Sequence, residues 1–362
     1  MFLLTIDLRM IDHSGIGTYL TNIVPLVVEK LPDIPVCILG NPKRIQEVIK
    51  FNSREVICKP LQAPIYSLQE QWEMLRTIPK ETRLFWSPHF NIPVLYFGKL
   101  LVTIHDVFHK AMPQYAGAIH KKLYAELMFQ AVRRKADQII SVSQFTKDEF
   151  HRLVGEVRQP IQTVYNGINN NWFVIERRSS QLDAPYFLFV GNVKPNKNLS
   201  RLIRAFKKIM GHIPHKLVVV GKKDGFITGD PKVWNEITEL GDRVVFTGYV
   251  EDEVLQQYYA NATGLVFPSL YEGFGFPPLE AMAVGTPALV SNAASLPEVC
   301  GDAVLYFNPN DENEISACML HLIENVDLQE RLREMGAAQA QRFRWQASAD
   351  QTVTLIHEVM GA

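Results

Sequence analysis

Short apolar runs alternate along this chain with longer stretches in which apolar residues recur every three to four positions. The runs at 2–6, 36–39, 84–86, 100–104 and 138–142 are brief, rich in β-branched residues and closed by polar residues or glycine. That is the pattern of strands buried on both faces. Between them, 118–134 places Leu123, Leu127 and Ala131 at i, i+4 and i+8, an amphipathic helical spacing. Such alternation predicts parallel strands joined by crossover helices. The pattern then restarts: runs at 186–190, 217–220, 244–246, 265–267 and 288–290 predict a second strand set, with helices over 199–210, 253–262 and 278–284. A polar seam containing Asn169-Asn170-Asn171 and Arg177-Arg178-Ser179-Ser180 separates the two sets and has the composition of a linker. The reading is an α/β chain of two tandem Rossmann-like domains, 1–178 and 179–343. A terminal segment, 344–362, holds an amphipathic helix over 344–360 that is expected to pack back on the first domain. Open parallel sheets bind ligands at the carboxyl ends of their strands, so the motifs that follow strands carry the functional reading.

A length of 362 residues exceeds one ordinary hydrophobic core and fits two domains. A net charge of −1 sets up no global attraction to nucleic acid or anionic lipid, although it leaves room for local patches. Cys37, Cys58, Cys300 and Cys318 are far apart in sequence, which argues against a disulfide framework and for a reducing compartment. The opening Met1-Phe2-Leu3-Leu4 lacks a basic flank, and no apolar stretch approaches the ~20 residues of a membrane-spanning helix. The expectation is a cytoplasmic protein. Histidines and carboxylates show no ligand spacing, so no metal site is expected.

The strongest motif is Glu272-Gly273-Phe274-Gly275-Phe276-Pro277-Pro278-Leu279-Glu280, which follows the run at 265–267 and the turn Pro268-Ser269. Its glycines let backbone approach a ligand. Its prolines suit the first turn of a helix. A loop feeding a helix N-terminus points N–H groups at an anion such as a diphosphate, and two carboxylates bracketing it can accept hydroxyl donors from a sugar. A second motif, Gly191-Asn192-Val193-Lys194-Pro195-Asn196-Lys197-Asn198, follows the first strand of the second domain. Fixed cations there can stabilise a departing diphosphate; taken alone, the same segment reads as a solvated turn. After the first strand of the chain comes His13-Ser14-Gly15-Ile16-Gly17-Thr18-Tyr19. It lacks the third glycine of a dinucleotide fingerprint. Thr103-Ile104-His105-Asp106 ends another strand, and His89 sits after the preceding one.

These segments resemble the retaining glycosyltransferases of family 4, which have the GT-B fold, and the resemblance covers essentially the whole chain. It implies two Rossmann-like domains whose parallel sheets face each other across a cleft. Glu272-x7-Glu280 resembles the family's Glu-x7-Glu signature. By that resemblance Glu272 contacts hydroxyls of the donor sugar, Glu280 holds the nucleotide ribose, and the amides of Gly273, Phe274, Gly275 and Phe276 line the sugar–diphosphate. The loop 191–198 resembles the family's Gly-Arg-x-x-x-x-Lys segment, with Lys197 at the lysine position. Asn192 stands where the family has arginine. Either Lys194 supplies the missing charge or Lys197 acts with backbone amides alone. Gly15 and Gly17 match the glycine-rich first loop that faces the donor phosphates, with Asp7 and Arg9 as loop supports. His105 matches the family's His-Asp motif and is implied to lie against the donor sugar, with Asp106 orienting loop or acceptor. His105, Lys197 and Glu272 are thus the catalytic candidates.

The implied activity is metal-independent transfer of a hexose, with retention, from a UDP-hexose such as UDP-glucose to a glycan or lipid-linked acceptor in polysaccharide biosynthesis. The nucleotide sugar is a substrate, and no further cofactor is implied. Lys121-Lys122 and Arg133-Arg134-Lys135 flank the helix at 118–134, and the resemblance implies that such surface touches the cytoplasmic membrane face. The alternatives are a GDP-mannose-dependent mannosyltransferase, a nucleotide-sugar epimerase, a non-catalytic sugar-nucleotide sensor and an NAD-dependent dehydrogenase. The incomplete glycine fingerprint disfavours the last of these.

Overall fold

A computed structural model describes residues 3–51, 56–178, 182–221 and 240–361. They form two compact units, one made of 1–167 with 344–362 and the other of 168–343. In the first unit the strands are β1 (Leu3–Asp7), β2 (Val36–Gly40), β3 (Ile57–Pro60), β4 (Thr82–Ser87), β5 (Lys99–Ile104), β6 (Gln138–Ser141) and β7 (Gln162–Thr163). They pair in the order β3-β2-β1-β4-β5-β6-β7, every neighbour parallel. β1 is buried along its whole length, as a central strand covered by helices on both faces must be.

In the second unit β8 (Tyr186–Val190), β9 (Lys216–Val220), β10 (Val244–Gly248), β11 (Gly264–Phe267), β12 (Ala288–Ser291) and β13 (Leu305–Phe307) pair in the order β10-β9-β8-β11-β12-β13. These neighbours are also parallel. One face of this sheet is covered by the helices Leu199–Ile209 and Glu312–Glu324. Leu202, Ile203, Phe206, Ile315, Met319 and Leu322 join Phe187, Leu217, Val219, Val266 and Leu289 in one core cluster. Each such side chain contributes roughly 1.5–3 kcal/mol by leaving water.

Three edge or near-edge features depart from the expected pattern. β3, β7 and β13 do not stand out in the sequence, and each is an edge strand. β3 alternates only between exposed and half-buried positions, and β7 has two residues. The seam also lies earlier than residue 178. Trp172 packs edge-on against Tyr259, with ring centroids 5.5 Å apart. Gln257 donates from its side chain to the Glu176 carbonyl and accepts from the Arg178 amide, each at 3.0 Å. Residues 168–178 are therefore part of the second unit despite their polar composition. Phe2, Ser179 and Ser180, used in the sequence reading, lie outside the described residues.

The helix Trp345–Met360 belongs to the first unit. Ser348 donates to the Tyr165 carbonyl at 2.6 Å, Lys30 pairs with Asp350 at 2.7 Å, and Lys99 donates to the Val359 carbonyl. Gly167 lies so close to Trp345 that an added Cβ would overlap its backbone.

Candidate functional site

In the second unit the chain leaves β8 toward β9 and β10, and returns to β8's other side as β11, β12 and β13. The order reverses between β8 and β11, and at such a switch point the two loops that follow diverge and leave a crevice. Here those loops are 191–198 and 268–276. They are stitched together by backbone and side chain. The Leu270 amide donates to the Asn196 carbonyl at 2.8 Å, Ser269 Oγ donates to the same carbonyl, and Asn196 Nδ2 donates to the Tyr271 carbonyl. Asn198 adopts a left-handed conformation at φ 56° and donates to the carbonyls of Pro268 and Pro309. These small polar groups fix the loops to one another.

The stitching brings Lys197 and Glu272 together. Lys197 Nζ lies 2.5 Å from Glu272 Oε1, which also accepts from Ser269 Oγ. Both side chains keep only 13–19% of their surface in water, so the pair is strengthened by a reduced dielectric. Among the described residues Glu272 Oε2 accepts no hydrogen bond. The ammonium has two further protons to offer an anion. Ser295 Oγ donates to the carbonyls of Glu272 and Phe274 at 3.0 and 2.9 Å, which holds the loop's curvature. Lys194 is exposed, and among the described residues its ammonium makes no ion pair. Asn192 accepts the Lys194 amide on its main-chain carbonyl.

Gly275 caps the helix Phe276–Val284 at φ 114°, and an added Cβ would press on Leu296. Pro277 and Pro278 occupy the second and third helical positions and have no N–H. The backbone donors before Leu279 are therefore those of Gly273, Phe274, Gly275 and Phe276. They are the four amides that the resemblance names. The Phe274 side chain is buried against Phe343 and is structural. Glu280 lies one turn into the helix and accepts the Tyr259 hydroxyl at 2.7 Å. Loss of water around it pushes its carboxyl up to about 7. The Tyr259 hydrogen bond opposes that shift and Asp252 adds to it. The same environment holds Tyr259 well above the usual phenol range.

In the first unit the order reverses between β1 and β4. Gly15 and Gly17 are not in a loop, contrary to the sequence expectation. They lie in the first turn of the helix Ser14–Glu29. An added Cβ on Gly17 would collide with the Ile11 carbonyl, and the Gly17 amide donates to the His13 carbonyl. Glycine is needed there for the helix to seat on the turn at 8–13. Gly17→Ala is expected to lower the unfolding midpoint, at a cost of roughly 1–3 kcal/mol, measured by thermal denaturation; an unchanged midpoint would mean the turn yields.

His105 follows β5. Its Nε2 lies 2.9 Å from the Pro88 carbonyl, so that nitrogen carries the proton, and its ring meets Tyr19 edge-on at 4.8 Å. Burial lowers its pKa despite the Pro88 bond and Asp106, so the ring is neutral at pH 7. Asp106 accepts the Phe108 amide at 2.9 Å and shapes the loop. His89 is buried and accepts the Asn91 amide on Nδ1. Asp7 and Arg9 support the loop: Arg9 pairs with Asp7 at 2.6 Å and approaches Glu70 at 3.5 Å. Glu70, fully buried, accepts from Tyr124, Asn91 and the Tyr66 amide. Ser269, Ser295, Asn196, Tyr259 and Glu70 all escaped the sequence reading. Only the Pro268-Ser269 turn and the 191–198 motif, which contains Asn196, gave any signal. Among the described residues no group of three or more His, Cys, Asp or Glu is placed to share a metal ion.

Comparison with known proteins gives concordant matches. Residues 171–339 match the family described as glycosyl transferases group 1, and residues 83–172 match glycosyltransferase family 4. The chain is 31% identical over 287 residues to O-antigen chain mannosyltransferase B of Escherichia coli, covering 75% of this chain and 73% of that protein. It is 28% identical to O-antigen chain mannosyltransferase RfbU of Salmonella typhimurium, covering 78% and 76%. Among solved structures, sucrose-phosphate synthase from Thermosynechococcus elongatus superposes with a TM-score of 0.78 at 19% identity over the whole of both chains. HepE of Anabaena in complex with UDP and glucose gives 0.79 at 17% identity, over 99% of this chain and 100% of that one. At those identities the structural likeness speaks for the fold.

Proposed function

The chain belongs to the glycosyl transferases group 1, with glycosyltransferase family 4 as its N-terminal match, and from that premise we propose that it transfers mannose from GDP-mannose, with retention, to a glycan acceptor in polysaccharide assembly. The observation that carries the reading is the Lys197–Glu272 pair at the β8–β11 switch point, flanked by a second carboxylate at Glu280. Mannose is preferred over the UDP-glucose expected from the sequence because two relatives covered over about three-quarters of their length are mannosyltransferases.

In this reaction the bond between the anomeric carbon and the diphosphate oxygen breaks, and its electron pair leaves with the phosphate. An acceptor hydroxyl oxygen bonds to the same face of that carbon, and its proton passes to the departing phosphate oxygen. The protein's contribution is orientation and fixed charge. Glu272 Oε2 takes sugar hydroxyls, Glu280 takes the ribose, and Lys197 meets the charge that develops on the diphosphate.

Thermal stabilisation by GDP, UDP, ADP and NAD tests the donor. A nucleotide at a hundred times its Kd adds about 2.7 kcal/mol of stability, an easily measured shift. A GDP shift, with GDP released from GDP-mannose only when acceptor is present, is the expected result. A UDP shift moves the donor to a UDP-hexose. Sugar-nucleotide conversion without acceptor points to an epimerase, and a shift with NAD alone ends the reading.

A further inference from the structure

The two oxygens of Glu272 have unlike surroundings. Oε1 lies 2.5 Å from Lys197 Nζ and 2.5 Å from Ser269 Oγ. Among the described residues Oε2 accepts no hydrogen bond. The last torsion of a free glutamate is broad and roughly two-fold, so its oxygens exchange places unless a neighbour distinguishes them. Lys197 alone is a weak means of doing so, because an ammonium is a compact charge on a flexible stem and imposes no plane. Ser269 is better placed. It stands two residues beyond the end of β11, is fully buried, and carries its hydroxyl close to the main chain.

That hydroxyl has one proton and three acceptors in reach. They are the Asn196 carbonyl at 3.1 Å, the Tyr271 carbonyl at 3.4 Å and Glu272 Oε1 at 2.5 Å. The carboxylate is both the nearest and the charged one, and hydrogen bonds to charged acceptors are shorter and roughly twice as strong as neutral ones. The two carbonyls are also supplied from elsewhere. The Leu270 amide donates to the Asn196 carbonyl, and Asn196 Nδ2 donates to the Tyr271 carbonyl. The loops therefore stay stitched without Ser269, and what its hydroxyl adds falls on the Glu272 side chain. Ser295 does the complementary task on the main chain, through the carbonyls of Glu272 and Phe274. We infer that Ser269 is a positioning residue for the donor sugar: it pins Glu272 Oε1 and so presents Oε2 to the sugar hydroxyls. The rotamer freedom of Glu272 is then given up on folding and not on binding. The inference rests on the reading of Glu272 as the group that meets the donor sugar.

The experiment is titration calorimetry of two ligand pairs, GDP-mannose with GDP and UDP-glucose with UDP, on wild type, Ser269→Ala, Glu272→Ala and the double variant. The comparison within a pair isolates the sugar. For the pair that binds, Ser269→Ala should lower affinity for the nucleotide sugar by roughly tenfold, the size of a hydrogen bond to a charged group. Affinity for the nucleotide alone should stay close to wild type, which also shows that the variant is folded. Glu272→Ala should lose at least as much for the nucleotide sugar, and adding Ser269→Ala to it should cost little more, because the two side chains act as one unit. A serine that only props the loop would instead weaken nucleotide sugar and nucleotide together, and would do so equally with and without the Glu272 carboxylate. Equal losses for both members of a pair, additive losses in the double variant, or a Ser269→Ala protein that binds like wild type would each overturn the inference and leave the reading of the site standing. A wild type that binds none of the four ligands would end that reading and the inference together.

Discussion

Lys197→Ala is expected to lower kcat by roughly 10²–10³-fold, the loss seen when a fixed group facing developing charge is removed, with a much smaller change in donor KM. The reasoning starts from the geometry. The ammonium is held 2.5 Å from Glu272 Oε1 and 5.4 Å above the Phe267 ring. It is therefore positioned before substrate arrives and needs no reorganisation during the reaction. Its charge is most useful when the diphosphate becomes a leaving group, which is a transition-state effect and appears in kcat. Lys194, exposed and without an ion pair among the described residues, should matter less, because charges in water are screened. Single-turnover kinetics of Lys197→Ala and Lys194→Ala decide between the two readings of the Asn192 position. An equal loss in both would assign Lys194 the charge of the absent arginine, and an intact Lys197→Ala would remove the phosphate role from Lys197.

Glu280→Ala is expected to abolish nucleotide-induced stabilisation, and the wild type should show a pH dependence that identifies the cause. In the proposed site, ribose hydroxyls donate to the ionised Glu280 carboxylate. Burial raises the Glu280 carboxyl to about 7, so the free protein loses its acceptor as pH falls through 7. Nucleotide affinity should fall about tenfold per pH unit below that value and level off above it. Tyr259→Phe removes a donor to the charged form and should move the inflection upward. Stability has the opposite sense. A carboxyl whose folded pKa lies above its unfolded value stabilises the fold below the unfolded pKa, and that contribution is lost as pH rises through 7. Glu280→Gln should therefore melt higher than wild type above pH 7, by an amount on the order of 1–3 kcal/mol, while binding nucleotide more weakly. Calorimetry across pH 5–9 measures both. A flat affinity profile would place the ribose elsewhere.

The central strands were legible because burial on both faces demands unbroken β-branched runs, as in Leu217-Val218-Val219-Val220. β3, β7 and β13 were not, since an edge strand answers to water on one side and needs no such run. The same contrast holds in the site. Glu272 and Lys197 lie in loops after strands and Glu280 in the helix that follows, each within a contiguous sequence motif. Tyr259 reaches Glu280 from a separate helix, Asp252–Asn261, and Ser295 reaches the 272–274 carbonyls from beyond β12. Small polar residues carry no periodicity, and their partners are set by which strands are neighbours. Gly15 and Gly17 were read as loop residues for a different reason. A glycine pair after a strand looks alike whether it admits a ligand or, as at Gly17, a neighbouring carbonyl.

The helix Trp345–Met360 completes the first unit although the whole second unit lies between them in sequence. On the ribosome this ordering has a cost. Residues 3–167 emerge first, yet Tyr19, Lys30, Lys99 and Tyr165 wait for partners that are translated some 180 codons after Tyr165, as the 183-residue separation of Ser348 and Tyr165 indicates. The contiguous second unit can fold meanwhile. The nascent first half must therefore persist with an uncovered groove, a state in which chaperones have their longest opportunity to bind.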